Sequence, residues 1–190
     1  MGISSNTINP RLEADAEVLT KLPQKVSVGL AWQATNQLLL TTEFNWIDWS
    51  AAFDELPVTL ANSSNAAVNN LVGSDTFTDV ISLGWQDQKI IRIGAEYDID
   101  NVWTVRVGAS YSTAVSPSQT ITPLNAALAE SVISAGVGYQ QPGWHLDFSW
   151  QWHLPITEKT SRSDLLSGEY SDSSIELESH WLGLTYGFNF

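Results

Sequence analysis

The sequence predicts an all-β protein, an antiparallel transmembrane β-barrel of about seven long strands, and three observations predict it. Apolar and polar residues alternate over repeated segments, which is the period of a strand rather than a helix. The apolar faces carry about five or six positions over about ten residues, the length of a tilted strand that crosses a bilayer. Trp and Tyr fall near segment ends, as an aromatic girdle requires, while the opposite faces carry Arg, Glu, Asp, His and Gly, which suits a polar lumen. Soluble sheets also alternate, so a lipocalin-like carrier with a packed apolar interior is a rival reading.

Each segment shows the same two-faced pattern. In "KVSVGLAWQA", Val26, Val28, Leu30, Trp32 and Ala34 oppose Ser27, Gly29, Ala31 and Gln33. A strand over 37–49 sets Leu38, Leu40, Phe44 and Trp46 against Thr41, Glu43 and Asn45. The strand 88–98 puts Ile91, Ile93, Ala95 and Tyr97 on one side, with Arg92, Gly94, Glu96 and Asp98 on the other. Across 102–114, Trp103, Val105, Val107, Ala109 and Tyr111 oppose Thr104, Arg106, Gly108 and Ser110. The strand 130–139 sets Ile133, Ala135, Val137 and Tyr139 against Ser134, Gly136 and Gly138. Over 144–154, "WHLDFSWQWHL", six apolar residues from Trp144 to Leu154 alternate with His145, Asp147, Ser149, Gln151 and His153. The last strand, 174–190, ends with Leu182, Leu184, Tyr186, Phe188 and Phe190 on one parity.

Tight connections at 35–37, 99–101 and 140–143 alternate with long polar ones at about 50–87, 113–129 and 155–173, so one end of the sheet has turns and the other has loops. The segment 50–87 reads as a long extracellular loop with room for a short helix. Hairpin geometry fixes registers, because apolar residues of paired strands must share a face. A three-residue turn at 35–37 sets Trp32 opposite Leu40 and Val28 opposite Phe44. A four-residue turn at 140–143 sets Tyr139 opposite Trp144 and Ala135 opposite Phe148, with Gly136 and Gly138 across from Asp147 and His145. Around 99–101, Glu96 falls opposite Thr104 with Arg106 diagonal to it.

Composition narrows the function. A chain of 190 residues with 43% hydrophobic and 15% charged residues folds, and its nine Trp suit an interface between dry and wet surroundings. A net charge of −13 with only eight Lys and Arg argues against a nucleic-acid partner. There is no Cys, hence no disulfide framework or thiolate chemistry. No run of about 18 apolar residues marks a spanning helix, and the N-terminus lacks the pattern of a secretory signal.

The ordered set "FNWIDWSAAF", "WQDQKIIRIGAEYDIDNVWTVRVGASYSTAVSPSQTITP" and "VISAGVGYQQPGWHLDFSWQW", in a chain ending in Phe190, resembles the C-terminal half of the FadL-type long-chain fatty acid and hydrocarbon transporters of Gram-negative outer membranes. The similarity runs from about residue 11 to the end, and its most telling parts are the "RIGAEYDIDNVWTVRVGASYS" hairpin and the Ser116-Pro117 and Pro123 pair after it. The resemblance implies a barrel of roughly fourteen strands with an N-terminal plug and a lumen passing apolar ligands. It further implies that 11–34 is one long strand kinked at Leu22-Pro23, and that these seven strands are about half a barrel. Half a barrel has two open edges, which hydrocarbon does not tolerate, so the first expectation is a piece of a longer protein, the alternatives being strands that pair with another chain or close into a small barrel.

Candidate chemistry is weighed against plain lumen lining. His145, Asp147 and His153 share the inner face, but His153 lies about 27 Å from His145 along an extended strand, so they cannot hold one metal ion. Ser149 and His145 both point inward, yet nothing marks a strained nucleophile, and no enzyme activity and no cofactor are expected. Arg92, Glu96 and Arg106 form the densest charge cluster. It is either an ion-pair ladder or, with one positive charge left over after Glu96, a contact for a fatty acid carboxylate. The predicted ligand contacts are therefore Arg92, Arg106, Glu96, His145 and Asp147, with apolar residues of 50–87. The expected partners are a long-chain fatty acid or other hydrophobic small molecule, outer-membrane lipid, and the insertion machinery that the terminal Phe190 pattern addresses. A purely structural outer-membrane barrel is the third reading.

Overall fold

The structure, a computed structural model, describes residues 12–123, 126–128, 130–165 and 168–188. Its elements are β1 (Asp15–Val18), β2 (Lys25–Gln33), β3 (Leu38–Ile47), α1 (Ser50–Phe53), β4 (Glu55–Ala61), α2 (Ala66–Val72), β5 (Phe77–Ser82), β6 (Gln88–Asp98), β7 (Trp103–Ser112), β8 (Glu130–Gln141), β9 (Trp144–Thr160) and β10 (Ser173–Phe188). Seven strands form one antiparallel sheet in the order β10-β9-β8-β7-β6-β3-β2, open at both edges. The predicted terminal Phe190 and the expected strand start at residue 11 lie outside the described residues.

Both faces follow the alternation. The apolar face is uncovered: Val28, Leu30, Ile93, Val107, Leu182 and Leu184 each expose more than half of their surface. At the turn end, rings meet across four adjacent strands. Their centroids lie 4.7 Å apart for Trp103–Tyr139, 5.4 Å for Tyr139–Trp144 and 5.9 Å for Trp144–Tyr186. Such a continuous belt is what amphipathic rings form at a membrane–water border. Among the described residues, the buried apolar side chains, Leu83, Val115, Ile121 and Leu128, sit under the loops at the other end.

The expected strand over 11–34 is two strands in two sheets. Pro23 has no N–H for the ladder, and Leu22 beside it is 96% exposed, so the chain breaks there rather than kinks. β1 leaves the main sheet and pairs with β4, with Val18 opposite Val58 and Asp15 opposite Ala61, in a three-stranded sheet ordered β1-β4-β5. The segment 50–87 is correspondingly more structured than a plain loop. Asn65 caps α2 by accepting from the Ala67 and Val68 amides at 3.1 and 3.2 Å, and Gly73 closes it in the left-handed region, with φ 82°. The base of this excursion is pinned by Asp87, which accepts from the Ser50 hydroxyl at 2.8 Å and the Trp46 indole at 3.1 Å.

Registers differ from expectation at two of the three hairpins, each by two residues. Trp32 does lie opposite Leu40 and Val28 opposite Phe44. Gly143 at φ 90° permits a two-residue turn at Pro142-Gly143, so Gln140 and Gln141 stay in β8, and Tyr139 faces Leu146 and Ala135 faces Trp150. Asp100 accepts from the Val102 and Trp103 amides, which lengthens the other turn and sets Glu96 directly opposite Arg106. β9 also runs past the expected end at Leu154, because Pro155 falls at a bulge where one residue of β10 opposes two of β9.

Candidate functional site

The inner face is tied together by two polar networks. In the first, the Ser27 hydroxyl on β2 donates to Asn45 Oδ1 at 2.5 Å, Asn45 Nδ2 donates to Glu43 Oε1 at 2.5 Å, and Arg92 Nη1 on β6 meets the same oxygen at 2.7 Å. Asn45 is fully buried, so its amide is held between two partners. In the second, Arg106 Nε on β7 donates to Glu96 Oε2 on β6 at 2.6 Å, and its Nη1 reaches across β8 to Asp147 Oδ1 on β9 at 2.8 Å. His145 Nε2 lies 3.9 Å from Asp147 Oδ2. Together the two networks link β2 to β9, and the His145 ring lies over Gly187 of β10.

Glycine makes the Arg106 crossing possible. β8 presents Gly136 opposite Arg106 and Gly138 opposite Asp147. A Cβ on Gly138 would lie 2.7 Å from Asp147 Oδ1 and 3.0 Å from Arg106 Nη1, so any side chain there displaces the ion pair. The same device recurs along the wall. Thr41 leans over Gly94, Ser134 over Gly108 and Ser149 over Gly183, each hydroxyl within 2.8 Å of where the glycine's Cβ would be. Polar side chains therefore lie along the wall instead of standing out from it.

All five predicted contact residues sit on this face, and four of them, Glu96, Arg106, Asp147 and His145, are brought together. Arg92 stands apart with Glu43, two residues before Gly94 in β6, toward the loop-bearing end, whereas Glu96 lies two residues after it. The spare positive charge expected after Glu96 is not there: Arg92 is taken by Glu43, and Arg106 by both Glu96 and Asp147. Glu43, Asn45 and Ser27 were missed as site residues. Their inward parity was legible, but the β3–β6 pairing that sets Glu43 opposite Arg92 spans the long 48–87 excursion, and no hairpin geometry predicts it. Gly136 and Gly138 were expected to make room for inward side chains; they face Ser149 and Asp147 rather than Asp147 and His145.

Over the spanning strands, the inward carboxylates Glu43, Glu96, Asp98, Glu130 and Asp147 outnumber the inward cations Lys25, Arg92 and Arg106. Among the described residues, no group of three or more His, Asp and Glu side chains is arranged to hold a metal ion.

The chain matches the family described as outer membrane protein transport protein (OMPP1/FadL/TodX) over residues 2–190. Its fold is similar to a TodX monoaromatic hydrocarbon channel deltaS2 mutant (TM-score 0.70, 20% identity), covering 94% of this chain and 38% of that one. It is also similar to a Pseudomonas aeruginosa FadL homologue (TM-score 0.62, 19% identity, 91% of this chain and 35% of that one). The Ralstonia pickettii toluene transporter TbuX gives a TM-score of 0.61 at 19% identity, over 92% of this chain and 36% of that one. The chain thus spans little more than a third of the length of these structures. No curated protein matches it. An antiparallel sheet open at both edges, apolar and aromatic-belted on one face and laced by ion pairs on the other, is the part of a barrel that this match describes: the chain belongs to the OMPP1/FadL/TodX family of outer-membrane transport proteins.

Proposed function

We propose that these strands form one wall of an outer-membrane channel that passes uncharged hydrophobic compounds in preference to fatty acid carboxylates. The carrying observation is that both inner guanidiniums are already bound by carboxylates, on a face where carboxylates outnumber cations. An entering carboxylate would have to displace Glu43, Glu96 or Asp147 from its partner and meet the surplus negative charge, whereas a neutral solute does neither. The structures of similar fold include a toluene transporter and a monoaromatic hydrocarbon channel, which agrees with a neutral cargo. Arg92, Arg106, Glu96, His145 and Asp147 then line the passage and hold its shape, without chemistry of their own.

The apolar face contacts outer-membrane lipid, and the loop-bearing end, with 50–87, faces outward from the cell. Open ladder edges on β2 and β10 are too costly in hydrocarbon, so other strands complete the barrel in the membrane. The alternating apolar C-terminal strand suits recognition by the insertion machinery. A soluble carrier has against it the uncovered Val, Leu, Ile and Trp side chains of the outer face.

The test is uptake by cells that lack other hydrophobic-compound channels and express the full-length barrel carrying these strands. Toluene uptake should rise well above the control, and a long-chain fatty acid should compete poorly. Fatty acid uptake exceeding that of toluene would overturn the preference; no uptake of either would leave a purely structural barrel.

A further inference from the structure

One aromatic residue departs from the rule that the rings face outward. Among the described residues of the seven sheet strands, every Trp, Tyr and Phe lies on the apolar parity except Trp181, which sits on the inner face opposite Gln151, between Ser179 and Gly183 on that parity of β10. Its Nε1 donates to the Ser179 hydroxyl at 3.2 Å, and the His153 ring of β9 lies with its centroid 6.5 Å away at 52°. The indole therefore leans along its own strand toward Ser179 and covers that hydroxyl. Its one polar atom is satisfied within the wall, while the residue stays 63% exposed, so what it presents is mainly ring face.

The bulge at Pro155 extends this apolar surface toward the loop-bearing end. On the turn side of the bulge the inner face of β9 carries Ser149, Gln151 and His153; on the loop side the extra residue reverses the parity of β9, and Ile156 comes inward opposite Leu177. Leu177 is the next inner residue of β10 beyond Ser179, on the side toward which the indole leans, and it is exposed. Trp181, Leu177 and Ile156 thus follow one another along the inner side, and the strip ends where Thr160 is buried beneath the 113–129 loop. A shallow hollow of about 180 Å³, lined in part by Val132, Ser134 and Gln151, opens beside it, since Gln151 is the cross-strand partner of Trp181.

We propose that Trp181, Leu177 and Ile156 form a subsite on the inner wall for the ring of an uncharged aromatic solute. The subsite deepens the neutral-cargo reading and rests on it. Leu177 and Ile156 offer any apolar solute the same burial of area, whereas an indole discriminates: a second ring gains from offset or edge-to-face contact beyond area burial, and an aliphatic solute of equal size does not. A carboxylate finds the negative face of the ring, with the indole N–H already given to Ser179.

The experiment measures channel-dependent uptake of toluene and of methylcyclohexane, at matched aqueous concentration, by cells expressing the full-length barrel. Toluene should lead by about three-fold. Trp181→Leu, which keeps apolar bulk, should bring the ratio to about one, and Trp181→Phe, which keeps a ring, should retain most of the preference; unchanged heat-modified gel migration checks that the variants fold. Leu177→Gln gives an independent reading and should lower toluene uptake. Equal uptake of the two compounds by the native barrel, a ratio that survives Trp181→Leu, toluene uptake unmoved by Leu177→Gln, or loss of both uptakes in a folded Trp181→Phe would overturn the subsite. Uptake of neither compound by the native barrel, or fatty acid uptake above both, would instead overturn the neutral-cargo reading beneath it.

Discussion

Gly138→Ala should leave the barrel's stability nearly unchanged while Asp147 is present, and should stabilise it once Asp147 is gone. The added Cβ would sit 2.7 Å from Asp147 Oδ1 and 3.0 Å from Arg106 Nη1, so the 2.8 Å bond between those groups must open. Arg106 exposes 44% of its side chain and Asp147 35%, which limits the loss to about 0.5–1 kcal/mol. Against that, Ala in a strand is favoured over Gly by about 0.5–1 kcal/mol, because less backbone freedom is lost on folding. The two effects nearly cancel in the native background. With Asp147→Ala, only the favourable one remains, so the double-mutant cycle should give a coupling of about 0.5–1 kcal/mol. Urea unfolding of the refolded full-length barrel, followed by Trp fluorescence, measures all four corners. If Gly138→Ala shifts stability equally in both backgrounds, to within about 0.3 kcal/mol, the glycine is not there for the Arg106–Asp147 crossing.

Other expectations follow from the same geometry. Glu43→Gln removes the carboxylate that occupies Arg92, so a long-chain fatty acid should compete more strongly for uptake than in the native barrel; unchanged competition would show that Arg92 does not face the passage. Asn65→Ala removes the acceptor for two amides at the start of α2 and should cost about 1 kcal/mol locally, seen as faster hydrogen exchange at Ala67 and Val68. Gly73→Ala forces a side chain into the left-handed region at φ 82° and should cost about 1 kcal/mol, measured by the same exchange. The Asp87 carboxyl is held below its usual value, chiefly by the Ser50 hydroxyl, with the Ser50 amide and Trp46 indole adding to it. A folded value below the unfolded one means that its contribution is complete above about pH 4 and is lost as pH falls through the folded value. Protease cleavage within 50–87 should therefore rise only in that acidic window, and Asp87→Asn should remove the rise.

Face identity was legible because strand parity survives a shift of two residues. Both hairpin errors, at Pro142-Gly143 and at Asp100, moved partners by two, so Tyr139 met Leu146 instead of Trp144 and every side chain kept its face. Odd shifts are different. At Pro155 the extra residue of β9 sets Ile156 opposite Leu177, on the parity that carries Ser179 and Trp181, and Thr160 ends buried, donating to the Ser118 carbonyl 2.7 Å away. A proline at a strand's end is an ambiguous signal, since it terminates pairing as readily as it bulges it. Pairings without a tight turn were also beyond reach. Nothing local in "LLLTTEFNW" says that Glu43 lies opposite Arg92, and so the sequence left a positive charge over that the structure does not. β1 was misplaced for a related reason: its partner β4 lies about forty residues away, inside a segment of weak periodicity.

The inner wall meets two demands that usually conflict. A polar lining avoids collapse of the lumen onto itself, but upright charged side chains fill space and bind water, and both oppose a hydrophobic solute. Here the polar groups are turned sideways. Thr41, Ser134, Ser149, Asp147 and His145 each lie over a glycine on the neighbouring strand, and the charges among them are met by partners in the same wall. On the proposed function, a solute sliding past would meet backbone, methylene groups and already bonded polar atoms, so it would strip little water and break no hydrogen bond. Bulk added at Gly94 or Gly108 would push Thr41 or Ser134 upright, because each hydroxyl lies only 2.8 Å from the would-be Cβ. In the proposed channel the glycines would then act on passage through the residues beside them, and the width along this wall would be set by cross-strand register as much as by side-chain size.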